Sequence, residues 1–369
     1  MGGVVSRRVV ITGMGAVSPL GANVETLWSG LVAGKSGITA IDHLQYSDLS
    51  VQCYGQAVAG DVNEVMSPRD VRRTDGFIHF GMLAAAEAMT QASLDITEEN
   101  ACRMGVAVGS GIGGLGTIET NVNKVQAEKR IKKISPFFIP GTLVNMLAGN
   151  ISIKHNLRGP NISLVSACAT GTHNIGMAAR LIAYGDADVM LAGASENASC
   201  SLGIGGFAAL RGLSTHSGNP TEASRPWDKN RDGFILSDGA AIVVLEELEH
   251  ALNRGANILA EVKGFAMNAD AHHITQPGGG GAVKCMQNAC EDAKISTKNI
   301  DHINPHATST PVGDEKEAMA INTVLGEHAS NVTVSATKSM TGHLLGAAGA
   351  LETIISALII REQTVPATI

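Results

Sequence analysis

Short apolar runs alternate along the chain with amphipathic stretches in which apolar residues recur at helical spacing. The apolar runs predict strands at residues 9–12, 104–108, 162–165, 189–192, 240–245, 260–265 and 301–304. The amphipathic stretches predict helices at residues 26–32, 70–93, 175–182, 202–211, 248–253, 284–293, 314–325 and 344–360. Strands that alternate with helices indicate an α/β fold with a mostly parallel sheet and helices on its faces. We expect Gly13 and Gly15 to end the first strand.

The alternation of strands and helices starts again near residue 260, after a long polar loop. This restart predicts two related halves, an N-terminal half over residues 1–255 and a C-terminal half over residues 256–369. The two halves show no residue-level repeat, so this division rests on the order of the elements alone.

Composition narrows the class of protein. The 369 residues are 44% hydrophobic, which is enough for a large buried core. A net charge of −7 argues against general attraction to nucleic acid. No uncharged apolar run reaches the about 18 residues of a membrane helix, and the N-terminus lacks the pattern of a secretory signal. We therefore expect a cytoplasmic enzyme that binds neither nucleic acid nor membrane.

Cysteine usage supports a reducing compartment. The chain has six cysteines, at positions 53, 102, 168, 200, 285 and 290. They form no Cys-x-x-Cys pair and no cluster with histidines at zinc spacing, so we expect no metal site. The chain is also far longer than a small disulfide scaffold.

One cysteine lies where a nucleophile is expected. Cys168 stands between an apolar run, residues 162–165, and a helical pattern that Gly185 should end. Unpaired N–H groups and the helix dipole at a helix start favour thiolate over thiol, and thiolate is the nucleophile. A lone cysteine is more often a buried structural residue, so further residues are needed to support a catalytic role.

A glycine-rich loop follows the strand predicted at residues 104–108. Residues 109–114 match the pattern G-x-G-x-x-G. A dinucleotide site would also need an acidic residue about 20 positions further on, where the sequence instead has Ile134–Pro140. We interpret the loop as a tight turn that brings Ile112 near a pocket.

Two histidines also lie at the ends of predicted strands. His306 follows the strand at 301–304, and His343 follows Val334 and a polar turn that contains Lys338. The hydroxyls of residues 308–310 are placed to hydrogen-bond an amide-bearing substrate arm. Ligands of open α/β sheets bind at the carboxyl ends of strands. A histidine at a helix start tends to stay neutral and can then donate a hydrogen bond to an oxyanion.

One cysteine and two histidines, each in a turn after a predicted strand, favour acyl transfer as the reaction. A thiolate accepts an acyl group from a thioester. The histidines then stabilise the enolate that forms as a malonyl thioester loses carbon dioxide, and the enolate carbon attacks the acyl-cysteine. Loss of such an oxyanion donor typically costs about 3–4 kcal/mol.

Three segments resemble the motif blocks of the condensing enzymes that act on acyl carrier protein. They are Ser166-Ala-Cys-Ala-Thr-Gly171, Pro305-His-Ala-Thr-Ser-Thr310 and Thr337-Lys-Ser-Met-Thr-Gly-His343 with the Leu-Leu-Gly-Ala-Ala-Gly that follows. The likeness runs from Arg8 to Ile369. It implies a thiolase-like fold with duplicated halves in a five-layered α/β/α/β/α sandwich. It also implies a homodimer, and no cofactor beyond the phosphopantetheine that the carrier protein supplies.

The resemblance also implies roles for individual residues. Cys168 would carry the acyl chain, and His306 and His343 would serve decarboxylation and condensation. Lys338 would orient the histidine site and Glu352 would support it, although nine residues of helix place Glu352 about half a turn out of phase with His343. The acyl pocket and the pantetheine arm would be contacted by two further sets of residues. These are Ile112, Phe138 and Phe207 for the acyl chain, and Thr275, Thr308 and Thr310 for the arm.

A basic cluster would steer the acidic carrier protein. Its members, again implied by the resemblance, are Arg69, Arg72, Arg73, Lys132, Lys133 and Arg211. The alternative for these residues is a set of solvated helix faces.

The sequence departs from the family at three places. Pro305 replaces a small residue and should hold Asn304 extended. Ser237 replaces a glycine, and we assign no effect to it. The family also continues a few dozen residues further, with a Gly-Phe-Gly-Gly-Thr-Asn motif that supplies final strands and an oxyanion-hole N–H. We therefore expect an incomplete C-terminal half, with a rate lower by roughly 10²–10³ if that donor is lost.

Two other functions stay open at this point. The chain could be a catalytically impaired remnant that dimerises or binds carrier protein. It could also be a thiolase that uses coenzyme A thioesters, but thiolases use a second cysteine near the C-terminus in place of the two-histidine pattern.

Overall fold

A computed structural model describes residues 7–44 and 46–369 of the chain. These residues form the strands β1 Val9–Val17, β2 Ile38–Ala40, β3 Cys53–Gly55, β4 Met104–Gly109, β5 Asn161–Ile162, β6 Val189–Glu196, β7 Gly239–Glu247, β8 Ala260–Val262, β9 His302–Ile303 and β10 Thr333–Val334. The helices are α1 Val24–Val32, α2 Pro68–Val71, α3 Gly76–Ala92, α4 Leu115–Glu128, α5 Phe138–Thr142, α6 Met146–His155, α7 Thr170–Tyr184, α8 Ser201–Ala209, α9 Leu248–Asn253, α10 Gly280–Asp292, α11 Pro311–Leu325, α12 Lys338–Thr341 and α13 Ala348–Glu362. The predicted alternation of strands and helices is confirmed.

The central sheet has six strands in the order β5-β4-β6-β7-β1-β8. Pairing is parallel within β5-β4-β6 and antiparallel at β6/β7, β7/β1 and β1/β8. The expected mostly parallel sheet is therefore wrong in part, because β7 and β8 run against the other four strands. The candidate site lies at one end of the strands of the central sheet. The last residues of β1, β4 and β6 and the first residue of β7 meet at this end.

The glycines of the first strand do not end it. β1 continues through Gly13 and Gly15 to Val17. A Cβ atom at Gly15 would lie 1.9 Å from the carbonyl oxygen of Ala84, so the absent side chain allows the α3 backbone to pack directly on the strand. Close approach to a helix, and not a turn, explains these two glycines.

Helices cover both faces of the central sheet. Buried side chains of α3 and α6, such as Phe77 and Leu147, fill the core on one face. Side chains of α7 and α13, such as Ile182 and Ile354, fill the core on the other face. The helix α13 lies late in the chain but packs on the central sheet. The C-terminal residues therefore complete the core of the N-terminal part.

Two predicted helix boundaries can be compared with the structure. The single helix expected over residues 70–93 is wrong, because the chain breaks into α2 and α3 at Asp75. The carboxylate of Asp75 caps α3 by accepting the Phe77 N–H at 3.1 Å. The expected end of α7 at Gly185 is confirmed, where φ is 92°.

Smaller sheets lie outside the central one. β9 and β10 pair in parallel, and β2 and β3 pair antiparallel. β8 lies beyond residue 256 in sequence but pairs with β1. Among the residues that the structure describes, no helix has the length and apolar character needed to cross a bilayer.

Candidate active site

Three side chains from distant parts of the chain meet at one place. The Sγ atom of Cys168 and one ring nitrogen each of His306 and His343 all lie within 4.8 Å of one another. The Nε2 atom of His343 is 3.0 Å from Sγ. The two imidazole rings are perpendicular, at 88°, with centroids 5.1 Å apart. A thiol and two imidazoles therefore share a single reaction space.

The backbone around this space is held in conformations that side chains other than glycine seldom adopt. Ala167, directly before the cysteine, has a φ of 50°, and Ala307, Ser309 and Leu345 have φ values of 24°, 69° and 47°. Such residues cost about 1–3 kcal/mol each and persist only where the surroundings fix them. At Ser309, the hydroxyl accepts the Arg225 N–H at 3.0 Å and the carbonyl accepts the Gly233 N–H at 3.1 Å.

The expected preference of Cys168 for thiolate is opposed by burial. Cys168 lies one turn before α7, in the 3₁₀ turn of residues 167–169. Burial raises the pKa of the Cys168 thiol, and the Lys338 ammonium and the cysteine's own N–H act in the opposite direction. The thiol form is therefore favoured at rest, and the His343 Nε2 atom is the hydrogen-bond partner of Sγ.

Both histidines are neutral at physiological pH. His306 keeps an exposed surface, and the protein packed around its ring, followed by the Lys338 charge, lowers its pKa below the usual value. Desolvation also lowers the pKa of His343 well below its usual value, with His306 and Lys338 adding to the shift. A neutral imidazole has one N–H to donate. Desolvation and the Lys338 charge, and not the dipole of a helix start, therefore favour the uncharged rings that the sequence predicted.

The position of His343 is fixed through its backbone. Its N–H donates to the Ile235 carbonyl at 2.8 Å, and its carbonyl accepts the Ser237 N–H at 3.0 Å. Its ring and that of Phe234 are nearly perpendicular, at 77°, with centroids 5.4 Å apart. The segment before β7 therefore holds this histidine against the cysteine.

Lys338 and Glu352 form an ion pair close to the three central side chains. The lysine is 2% exposed and its Nζ atom contacts Oε1 of Glu352. Burial raises the pKa of Glu352 to about 7, while the lysine charge opposes this shift. The carboxylate contacts the lysine, so its effect on the histidines is exerted through Lys338.

Two acidic residues that the sequence analysis did not single out position the His306 loop. Glu317 on α11 accepts the N–H groups of His306 and Ala307, both at 2.7 Å. Asp314, also on α11, accepts the Trp227 N–H at 3.0 Å and the Thr310 N–H at 3.2 Å. Acidic residues in the first turns of the helix that follows the His306 motif were the available signal.

Two of the three residues assigned to the acyl pocket lie together. Ile112 and Phe207 pack against one apolar cluster that includes Leu345. Phe207 meets Phe234 edge-on, with centroids 5.4 Å apart, so aromatic contacts lead from it to the ring of His343. Phe138 lies on α5, half-buried, and does not belong to this cluster of the described residues.

A cavity of about 330 Å³ opens beside His306. Thr308 lines it, and the Thr308 hydroxyl lies 3.1 Å from that of Thr310. Thr275 lies on the exposed loop between β8 and α10, where its N–H contacts His273 Nδ1 at 3.1 Å. The structure thus places two of the three threonines together and the third on a separate loop.

The basic residues are distributed over three segments. Five of the six basic residues are exposed, namely Arg69, Arg72, Lys132, Lys133 and Arg211. Arg73 is half-buried, and its guanidinium lies 3.9 Å from the ring centroid of Phe137. This contact brings the end of α2 next to the segment that carries the two lysines, while Arg211 lies just past the end of α8.

The glycine-rich loop binds a carboxylate of the protein itself. Glu196, the last residue of β6, is fully buried, and its Oε1 atom accepts hydrogen bonds from the Ser110 hydroxyl and the Gly111 N–H. The N–H groups that would face a pyrophosphate in a dinucleotide site are thereby occupied. This agrees with the interpretation of the loop as a tight turn.

Sequence models of one protein family match nearly the whole chain. The sequence model described as Beta-ketoacyl synthase, N-terminal domain, matches residues 6–251, and that for the C-terminal domain matches residues 259–369. The chain therefore belongs to the beta-ketoacyl synthase family, and its fold is thiolase-like.

The names of curated relatives describe a more specific activity than the family name does. A protein of Coxiella burnetii named 3-oxoacyl-[acyl-carrier-protein] synthase 2 is 53% identical over 98% of this chain and 88% of its own length. Proteins of the same name from Vibrio cholerae (53% identical, 98% and 88% covered) and Staphylococcus aureus strain COL (44%, 99% and 88%) are also similar.

Solved structures show the same fold. A structure of a type II PKS acyl-carrier protein in complex with its ketosynthase bound to the hexaketide, AntDE:AntF, matches with a TM-score of 0.91 and 34% identity. The match covers 98% of this chain and 88% of that chain. A beta-ketoacyl synthase of Burkholderia phymatum matches with a TM-score of 0.89 and 32% identity, over 96% and 86% of the two chains.

Proposed function

We propose that the protein catalyses the decarboxylative condensation of acyl-ACP with malonyl-ACP, giving 3-oxoacyl-ACP, carbon dioxide and free carrier protein in fatty-acid elongation. The observation that carries this proposal is the convergence of one thiol and two neutral imidazoles within 4.8 Å. Relatives at 53% identity carry the name of this activity, and their lengths are covered to 88%.

The first half-reaction transfers the acyl group to Cys168. The thiol loses its proton to solvent, and the thiolate, favoured by the Lys338 charge and by an N–H from His343 Nε2 at 3.0 Å, attacks the thioester carbonyl. A bond forms between Sγ and the acyl carbon as the bond to the pantetheine sulfur breaks. The pantetheine thiolate leaves and takes up a proton from solvent, so both imidazoles stay neutral and His343 keeps its Nε2–H.

The second half-reaction forms the carbon–carbon bond. The N–H groups of His306 and His343 donate to the thioester oxygen of the malonyl group as carbon dioxide leaves. Lys338, buried among the site residues, favours the negative charge that develops on the enolate. The enolate carbon attacks the acyl carbon on Cys168, and collapse of the tetrahedral adduct breaks the bond to Sγ and releases the 3-oxoacyl product. The cysteine thiolate then takes up one proton from solvent, which restores the resting thiol.

We assign the remaining residues in the same scheme. Glu352 supports Lys338; Ile112, Phe138 and Phe207 contact the acyl chain; and Thr275, Thr308 and Thr310 contact the pantetheine arm. Arg69, Arg72, Arg73, Lys132, Lys133 and Arg211 face the acidic carrier protein. The proposed units are residues 1–255 with the nucleophile and residues 256–369 with both histidines.

The protein is proposed to act in the cytoplasm as a homodimer. All six cysteines are free thiols, which suits a reducing compartment. Light scattering of the purified protein measures the dimer directly.

A reconstituted assay tests the proposed function. The 369-residue protein is incubated with acyl-ACP and malonyl-ACP, and the 3-oxoacyl product and the mass of the protein are followed by mass spectrometry. We expect turnover and an acyl adduct at Cys168 that C168A lacks. An adduct that persists in C168A contradicts the assignment, and carrier-protein binding without turnover supports the alternative of an impaired remnant.

A further inference from the structure

Glu196 is a buried carboxylate for which the reaction scheme above has no use. It lies at the carboxyl end of β6, directly beside the site, and has no exposed surface. Burial raises the pKa of Glu196 to about 7, although the Ser110 hydroxyl and the Gly111 N–H donate hydrogen bonds to it. Burying a carboxylate costs free energy, so its retention at this place calls for a specific role.

The carboxylate orders a loop that reaches the acyl pocket. Its Oε1 atom accepts the Ser110 hydroxyl and the Gly111 N–H, and the Ser110 hydroxyl in turn accepts the Gly113 N–H at 2.8 Å. Ile112, which packs in the apolar cluster with Phe207, lies inside this hydrogen-bonded turn. Glu196 therefore holds the backbone on both sides of Ile112, directly at Gly111 and through Ser110 at Gly113.

The same loop contacts the backbone on both sides of the reacting groups. A Cβ atom at Gly346 would lie 2.7 Å from the Gly111 nitrogen and 3.2 Å from Glu196 Oε1. A Cβ atom at Gly111 would lie 3.5 Å from the carbonyl oxygen of Ala167, the residue before the nucleophile. Glu196, the glycine loop, the cysteine turn and the turn after His343 therefore pack without intervening side chains.

The second oxygen of the carboxylate has no partner. Glu196 Oε2 is buried, accepts no hydrogen bond among the described residues, and would lie 3.5 Å from a Cβ at Gly111. Both hydrogen bonds that Glu196 accepts therefore come from the loop that carries Ile112.

We propose that Glu196 is a positioning residue that holds the loop of residues 110–113, and through Ile112 sets the shape of the acyl pocket and the selectivity for acyl chain length. This inference rests on the proposed function, because the pocket has a role only if Cys168 is acylated. Glu196 touches neither substrate nor reacting atoms in this scheme, so its removal affects acyl transfer and not malonyl decarboxylation.

The test compares acylation of Cys168 by a long-chain and a short-chain acyl-ACP, using the full 369-residue protein. In E196A we expect the ratio of kcat/KM for the long donor to that for the short donor to fall at least tenfold. E196Q keeps an acceptor oxygen toward Ser110 and Gly111 and should stay within about threefold of the wild-type ratio. Malonyl-ACP decarboxylation by the unacylated protein should change by less than about threefold in both.

Two further variants separate positioning from stability. S110A removes one donor to the carboxylate and should lower the ratio by an intermediate amount, which keeps the test available if E196A does not fold. E246Q is the control, because Glu246 is a buried carboxylate at the opposite end of the sheet, where it pairs with Arg254. It should lower the melting temperature and leave the chain-length ratio unchanged.

The outcomes distinguish this inference from the proposed function. Wild-type protein that forms no acyl-Cys168 contradicts both. Wild-type protein that acylates, beside E196A and S110A with an unchanged chain-length ratio, overturns the role of Glu196 alone. Equal losses in E196A and E246Q also overturn it, since a general loss of stability then explains the effect.

Discussion

Lys338 and Glu352 are in direct contact although they lie on separate helices, α12 and α13. The lysine is almost fully buried, and its charge acts on Cys168, His306 and His343 together. It lowers the pKa of each of these groups, so one ammonium favours both the thiolate and the neutral imidazoles. Glu352 keeps this charge in place by offsetting part of its cost of burial.

The first prediction concerns this ion pair. K338M leaves Glu352 without its partner and should destabilise the protein by about 2 kcal/mol. This is less than the about 3–5 kcal/mol for breaking a fully buried pair, because Glu352, with a pKa of about 7, can take up a proton. Decarboxylation of malonyl-ACP should fall at least tenfold, on the order of 1.4 kcal/mol. Urea unfolding and a carbon dioxide assay measure the two effects.

The double variant K338M/E352Q is the control for the first prediction. It removes both charges, so we expect the stability to return while decarboxylation stays low. Recovery of both stability and decarboxylation would show that Lys338 acts only through the fold.

The second prediction concerns the reactivity of Cys168. Because burial raises the pKa of its thiol, alkylation by iodoacetamide should increase with pH and reach its midpoint above that of free cysteine. K338M removes a charge that favours the thiolate, so the midpoint should move further up. Peptide mass spectrometry of the alkylated residue gives the rates, and a midpoint below that of free cysteine contradicts the prediction.

The turns between strands and helices were predictable from the sequence, because the signals that form them are local. A strand, a polar turn and a helix start can be recognised within a few residues, and this was enough for β4, β6, α7, α9 and α11. The same signals misjudged Gly13 and Gly15, whose role depends on α3, more than sixty residues away in sequence. They also missed the break at Asp75, where a single carboxylate caps α3.

Partners of the candidate site were harder to find from sequence. Helical phase placed Glu352 away from His343, and in the structure it contacts Lys338 instead, across the turn between α12 and α13. Glu317 and Glu196 carry no motif, because each acts by accepting backbone N–H groups of a distant loop. The sequence pattern identifies the groups that carry chemistry more readily than the carboxylates that position their backbone.

The third prediction concerns stability against pH. The folded protein holds the pKa of His306 below its usual value, whereas the unfolded chain protonates this ring near about 6.5. The unfolded state therefore binds more protons below about pH 6.5, and the stability that this group contributes falls as the pH decreases through that value. In H306Q the free energy of urea unfolding should change less between pH 7 and pH 5 than in wild type.

His250 offers the control for the third prediction. Its Nδ1 atom lies 2.6 Å from Oε1 of Glu246, away from the site, so H250Q measures how far the slope changes when a histidine elsewhere in the protein is replaced. A slope in H306Q equal to or steeper than that of wild type would contradict a depressed pKa at His306.

The fourth prediction concerns the anchor of the His306 loop. Each oxygen of Glu317 accepts one N–H, from His306 and from Ala307, and Ala307 has a φ of 24°. E317Q exchanges one acceptor for an NH₂ group that opposes an N–H donor, and E317A removes both acceptors. Because a displacement of about 1 Å can cost about 10² in rate, we expect kcat for condensation to fall about tenfold in E317Q and about 10² in E317A. Affinity for the carrier protein should be unchanged, since Glu317 acts on the position of the imidazole and not on the protein surface.

Steady-state kinetics and calorimetric titration with acyl carrier protein measure the two quantities. The matched control is E315Q, which changes an exposed carboxylate on the same helix. If E317A loses carrier-protein affinity while keeping kcat, Glu317 contributes to docking and the assigned anchoring role is wrong.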